Sequence, residues 1–228
     1  MAYNKPGVAG EFRGKIGEAV ICRWGKLIVG RASPKKTTKK PTVPVKIQRS
    51  KMSLISSFLS RQNGAIKIGF VSKKRLKTAM NIAVEQNINT AILGNYPAFV
   101  INIPKIQLSK GWLDQVYMPK FAKTENERVK ISWLNAANLK MGVEENDLVQ
   151  FNFYNETLIN GKNYSMFFKN SATRIGGSVE LNLSRSFIGT IHGWMFLTSA
   201  DGKKVSNTKY LGTVQISNPV PAVLPENK

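Results

Sequence analysis

Leu148-Val149-Gln150-Phe151-Asn152-Phe153-Tyr154 sets an apolar side chain at every second position. A period of two belongs to a β-strand with one face on a core. The same alternation carries Val129, Ile131 and Trp133 before it, and Val179, Leu181 and Leu183 after it. Working outwards, the candidate strands are 99–103, 106–108, 129–133, 148–154, 164–168, 178–183, 191–198 and 210–216. Asp201-Gly202, between two apolar runs, signals a hairpin. Many short strands with turn residues between them point to an antiparallel sandwich of immunoglobulin-like type over residues 99–217.

Upstream the period changes. Ile47, Leu54, Ile55, Phe58 and Leu59 share one face of a helix over 47–62, which Asn63-Gly64 is expected to end. A short strand follows at 66–70. A second helix is predicted over 73–93, capped by Ser72 and stopped by Gly94, with Leu76, Met80, Ala83, Asn87 and Ala91 along one stripe. Lys73, Lys74, Arg75 and Lys77 crowd the first turn of that helix. Cations there oppose the helix dipole by ~0.3–1 kcal/mol each, so they suggest a contact that offsets the cost.

Residues 32–46 hold three prolines and five lysines. They read as an extended basic arm rather than helix or central strand. Before it, runs 16–22 and 27–29 flank Arg23-Trp24-Gly25-Lys26 and read as a hairpin, with Gly25 free to take a positive φ. The tail 218–228 is proline-rich and extended. The chain is thus expected to be mainly β (α+β). It divides into a basic hairpin and arm (1–46), a section of two helices (47–98), the sandwich (99–217) and the tail.

Charge is the loudest signal for function. Thirty-four Lys and Arg against thirteen Asp and Glu give +21, where a small domain ordinarily carries about 2–8 in magnitude. Residues 1–50 hold twelve cations and two acids, and residues 51–100 seven and one, so +16 lies in the first hundred residues. Self-repulsion of this size destabilises a compact chain unless an anionic partner neutralises it. Arg13, Lys15, Arg23, Lys26, Arg31, Lys35, Lys36, Lys39, Lys40, Lys46, Arg49, Lys73, Lys74 and Arg75 are the candidate phosphate contacts, with Trp24 among them as a stacking surface. No zinc finger, ribonucleoprotein motif or KH loop accompanies them, so the expected mode is directed at the backbone of RNA or DNA. If about six to ten phosphates were contacted, affinity would fall about 10³–10⁵-fold between 50 and 200 mM salt.

Chemistry has few candidates. His192 is the only histidine and Cys22 the only cysteine. One of each makes no ordinary zinc site, and a lone cysteine makes no intrachain disulfide. Cys22 reads as a small buried hydrophobe, and His192 as a residue of a sandwich strand. Glu144, Glu145 and Asp147 could hold a hard cation or act as paired carboxylates, but a polar loop explains them more simply. No phosphate-binding Gly-Lys-Ser/Thr loop or Gly-x-Ser-x-Gly elbow is present. Neither a catalytic residue nor a cofactor is assigned. The N-terminus lacks the apolar core of a signal peptide and no apolar run is long enough to span a membrane, which favours the cytoplasm or a particle assembled there.

Three stretches carry a resemblance: 14–31 (Gly-Lys-Ile-Gly-Glu-Ala-Val-Ile-Cys-Arg-Trp-Gly-Lys-Leu-Ile-Val-Gly-Arg), 93–113 (opening Leu-Gly-Asn-Tyr-Pro) and 199–216 (opening Ser-Ala-Asp-Gly-Lys-Lys). In this order and spacing the chain resembles an uncharacterised bacterial domain-of-unknown-function family of about the same length. Its members carry Gln-x-x-Arg at the start of the first helix, and Gln48-Arg49 is the nearest match here. The resemblance implies one shared architecture and no activity, cofactor or catalytic residue. Two functions lead, with a hydrolase of unknown type around His192 or Glu144–Asp147 as a third. One is a non-catalytic nucleic-acid-binding protein, as in a ribonucleoprotein or packaged genome, whose sandwich docks on a protein neighbour. The other is a structural subunit of a particle or surface array, with a homo-oligomer formed by its extended ends.

Overall fold

The computed structural model describes residues 3–4, 12–24, 27–35, 38–71, 77–124, 128–135, 143–158, 161–184 and 187–217. Among the described residues the fold is mainly β, with an N-terminal hairpin system, three α-helices and two facing antiparallel sheets in the C-terminal body. The N-terminal sheet is a meander of β1 (Tyr3–Asn4), β2 (Phe12–Ile16), β3 (Ala19–Trp24) and β4 (Leu27–Ala32). The expected strand 16–22 is broken because Gly17, at φ 56°, turns the chain between β2 and β3. Gly25 lies outside the described residues.

The helices depart most from expectation. The first, α1 (Val43–Arg61), begins inside the supposed arm. Pro44 falls in its first turn, where a missing N–H costs nothing because no carbonyl awaits it. Asn63-Gly64 does not end the helical run. The axis breaks at Gln62 and α2 (Asn63–Gly69) starts at once, over the segment read as a strand. Gly69 is required by packing, since a Cβ there would stand 2.1 Å from the Leu108 carbonyl oxygen. The next helix, α3, is shorter than predicted (Ala79–Asn87) and is capped by Thr78, whose hydroxyl accepts from the Asn81 N–H at 3.2 Å. Ser72 lies outside the described residues. Gly94 serves instead the small hairpin of β5 (Ile92–Leu93) and β6 (Val100–Ile101), all that forms of the strand expected at 99–103.

Residues 106–108 make no strand because side chains take their backbone groups. The Asn87 amide bonds the N–H and C=O of Gln107, each at 2.8 Å, and the Thr208 hydroxyl accepts from the Leu108 and Ser109 N–H groups.

Seven strands form the C-terminal body. Sequence reading missed β7 (Tyr117–Lys123), and its irregularity explains why. Pro119 lies within it, Met118 sits at φ 42°, and the register with its neighbour shifts between Tyr117 and Lys120. Proline and a bulge are tolerated because β7 is an edge strand. With β8 (Val129–Leu134) and β11 (Ser178–Leu181) it forms a sheet of order β11-β8-β7. The second sheet, ordered β10-β9-β12-β13, comprises β9 (Leu148–Asn155), β10 (Ser165–Thr173), β12 (Gly189–Thr198) and β13 (Lys209–Ile216). This distribution of strands is compatible with an immunoglobulin-like sandwich.

Two cores result. Val129, Ile131, Trp133, Phe151, Phe153, Met195 and Leu197 fill the space between the sheets. Ile55, Phe58, Leu59 and Ile66 of the helices pack with Tyr154, Trp194 and Phe196 on the other face of the second sheet. Consequently β9 is buried on both faces, not one. The polar half of its alternation is stabilised there by hydrogen bonds. Gln150 bonds Asn170 and Thr198, and Asn152 donates to the buried Gln62 at 2.7 Å. Among the described residues no helix is long and apolar enough to cross a membrane.

Candidate functional site

In the N-terminal half, Lys15, Arg23, Arg31, Lys35, Lys39, Lys40, Lys46 and Arg49 are exposed and Arg13 is half-buried. No described residue before Ile55 is buried. Antiparallel register sets Lys15, Val20 and Arg31 opposite one another across β2, β3 and β4. Residues in one such row share a face, so Lys15 and Arg31 flank a single apolar side chain on one surface of the sheet. Both are exposed. Arg23 lies in the alternate row, opposite Ile28, and Arg13 is paired in register with Tyr3. Trp24 ends β3 opposite Leu27.

Lys35, Lys39 and Lys40 are exposed in the segment leading to α1. Lys46 and Arg49, three residues apart, expose their side chains on neighbouring turns of α1. Lys51 is committed elsewhere, with its ammonium 5.3 Å from the Phe99 ring centroid. Lys26, Lys36, Lys73, Lys74 and Arg75 lie outside the described residues. The sheet therefore joins Lys15 to Arg31 and the helix joins Lys46 to Arg49. The sheet also leaves apolar side chains in the open, with Ile16 and Ile28 each about half exposed. Cys22, expected to be buried, is half-buried on this sheet.

Titratable groups in the body are engaged structurally. Arg174, buried, donates from Nε to Asp147 Oδ2 at 3.1 Å and from Nη2 to the Asp114 carbonyl at 2.7 Å. The Arg174 carbonyl in turn accepts from Trp133 Nε1 and Asn135 Nδ2, each at 2.8 Å. Asp147 is thus half of a buried ion pair at one end of the sandwich rather than a surface-loop acid. His192 lies on β12 between the Tyr210 hydroxyl (2.8 Å from Nδ1) and Glu156 Oε2 (3.0 Å from Nε2). Burial, and after it the nearby Glu156 carboxylate, raises the Tyr210 pKa and keeps its proton in place. The hydroxyl can donate to Nδ1, and in that arrangement Nε2 donates to the Glu156 carboxylate. Burial also raises the Tyr154 pKa, with Arg61 opposing and Glu156 assisting. A carboxylate–imidazole–phenol chain can relay a proton. His192, Tyr210 and Glu156 line neither of the following two clefts of the body.

The first cleft, about 700 Å³, is lined by Trp112, Tyr117, Met118, Gln115, Asn207 and Lys209, among others. Trp112 is 97% exposed, and Tyr117 and Met118 are more than half exposed. Sequence reading gave this patch no role. Its only signal was Trp112 standing in the polar setting Lys110-Gly111-Trp112, outside any periodic apolar run. The second cleft, about 580 Å³, runs between α2 and the loop end of the second sheet, with Lys67 and Lys169 among its lining residues.

A family model described as "Family of unknown function (DUF6266)" matches residues 11–212. No curated protein and no solved structure matches the chain.

Proposed function

Since the chain belongs to the DUF6266 family, whose function is unknown, we propose a role from its own residues: it is a non-catalytic, basic binding and assembly protein. Its N-terminal half grips the phosphate backbone of nucleic acid. The observation that carries this reading is a coincidence of charge and exposure. Most of the +21 lies before residue 100, and the described cations before Ile55 are all exposed or half-buried. A sheet whose described side chains are all at least partly exposed gains little from folding alone. Phosphates bridging Lys15 and Arg31, and continuing to Lys35, Lys40, Lys46 and Arg49, would relieve the repulsion and hold the sheet together. The absence of a base-reading motif fits contacts with backbone rather than sequence. The cytoplasm, or a particle assembled there, is the setting this partner implies.

The test uses the full chain. Binding to random RNA and DNA is measured across a salt series for the wild type and for a variant carrying Gln at Lys15, Arg31, Lys35, Lys40 and Lys46. The wild type should lose affinity steeply with salt. The variant's log–log slope should be shallower by about 0.7–0.9 for each phosphate it no longer neutralises. Binding that ignores salt, or that the five substitutions leave unchanged, rejects the proposal.

The exposed Trp112–Tyr117–Met118 patch favours a second component, a protein neighbour docking on the sandwich. Large exposed aromatic and methionine side chains around a cleft are the composition of interface centres. A structural subunit of a particle or array would use the same patch. Light scattering separates the two readings: a stable homo-oligomer free of nucleic acid, dissociated by Trp112→Ala, favours the subunit.

A further inference from the structure

We infer that the cleft between α2 and the loop end of the second sheet is a discrete binding site for a phosphoryl group. The chain of contacts begins with Gln150, fully buried on β9. Its Oε1 accepts from the Asn170 N–H at 2.8 Å, and its Nε2 donates to Asn170 Oδ1 at 2.6 Å and Thr198 Oγ1 at 3.0 Å. One buried amide therefore fixes both neighbours. With its oxygen taken, Asn170 must turn its NH2 group away from Gln150. With a lone pair taken, Thr198 must send its hydroxyl proton elsewhere. Asn170 is held at φ 52°, an uncommon conformation for a residue with a side chain.

Asn170 and Thr198 both line the cleft, and so do Lys67 from α2 and Lys169 from β10. None of these four has an acceptor for the remaining protons among the described residues. Two ammonium groups, an amide NH2 and a hydroxyl thus belong to residues that line one cavity. The carboxylate of Asp201 also lines the cleft. It is already engaged by the Ser199 hydroxyl at 2.5 Å, the Lys203 N–H at 3.0 Å and the Lys203 ammonium at 3.3 Å. A phosphoryl group matches the remaining set, since its oxygens accept several charge-assisted hydrogen bonds at once. Phe70, Ile68 and Leu148 form the apolar part of the wall. The volume, about 580 Å³, suits a ligand the size of one nucleotide.

The inference deepens the polyanion reading and rests on it for the source of the phosphoryl group, but the site is separate from the N-terminal sheet and can fail alone. The test is a titration of the full chain followed by amide NMR, with inorganic phosphate in one arm and a single-stranded oligonucleotide in the other. Phosphate should shift the Asn170 side-chain amide and the Thr198 and Ser199 backbone signals along a saturable curve. Asn170→Gly suits the positive φ and leaves the net charge unchanged. It should weaken the phosphate response several-fold, and Lys67→Ala with Lys169→Ala should weaken it by about tenfold or more. Saturation by the oligonucleotide at lower concentration identifies a nucleic-acid phosphate, and saturation by phosphate alone identifies the free anion. A diffuse, non-saturating drift shared by surface lysines, or a response that Asn170→Gly leaves intact, overturns the site. Either outcome is read separately from the five-residue variant, whose loss of salt dependence reports on the N-terminal sheet alone.

Discussion

The N-terminal sheet and the sandwich are both antiparallel β-structure, yet they solve the problem of stability in opposite ways. In the sandwich, β9 and β12 are covered on both faces, by β7, β8 and β11 on one side and by the helices on the other. Even their polar side chains are buried and bonded. In the N-terminal sheet no described side chain is buried, cations share rows with valine, and isoleucines face outwards. The body draws its stability from within. In the proposed role, the sheet's stability comes in part from the polyanion that covers it.

The contrast can be broken by substitution. Phe151→Ala, at the centre of the inter-sheet core, should lower stability by about 3–5 kcal/mol in denaturant unfolding, while Ile28→Ala in β4 should change it by less than about 0.5 kcal/mol. A comparable loss at Ile28 would mean the sheet is part of the cooperative body. Arg174→Met leaves Asp147 buried and unpaired, and should cost about 3–5 kcal/mol; adding Asp147→Leu should recover much of it. A loss unchanged by the second substitution would show that the pair holds the sandwich end by packing rather than charge.

The smallest effect concerns the hairpin that closes the sandwich. Hydrogen bonds from the Ser199 hydroxyl and the Lys203 N–H hold the Asp201 pKa down to about 2. A depressed carboxylate stabilises the fold above its unfolded pKa and loses that contribution as pH falls towards the folded value. The turn should therefore be indifferent to pH above about 5 and loosen as pH drops from about 4 to 2. Carbon-detected NMR of the Asp201 carboxyl would check this, and a midpoint near 4 would contradict it.

What sequence could reveal follows the same division. The alternation at Val129–Trp133 and Val149–Phe153 located the inter-sheet core because β8 pairs with β11, and β9 with β12, in unbroken register. The other half of β9 misled: Gln150 and Asn152 look solvent-facing until helices from a hundred residues earlier cover them. Pro44 looked like a helix breaker because its place in a first turn depends on where the helix starts. β7 was hidden by Pro119 and its bulge. In the candidate site, the cations of the first fifty residues were visible as charge, but the pairing of Lys15 with Arg31 is a fact of register. The meeting of Lys67, Lys169 and Asn170 depends on tertiary packing that no local pattern encodes.

Amide hydrogen exchange of the full chain, free and with excess single-stranded nucleic acid at low salt, compares the two regions in a single experiment. The amides of β9 and β12 should be strongly protected in both states, while those of β2, β3 and β4 should exchange fast in the free chain and become protected on binding. Protection of β2–β4 that is already complete without nucleic acid, or that nucleic acid does not change, would contradict a sheet completed by its ligand.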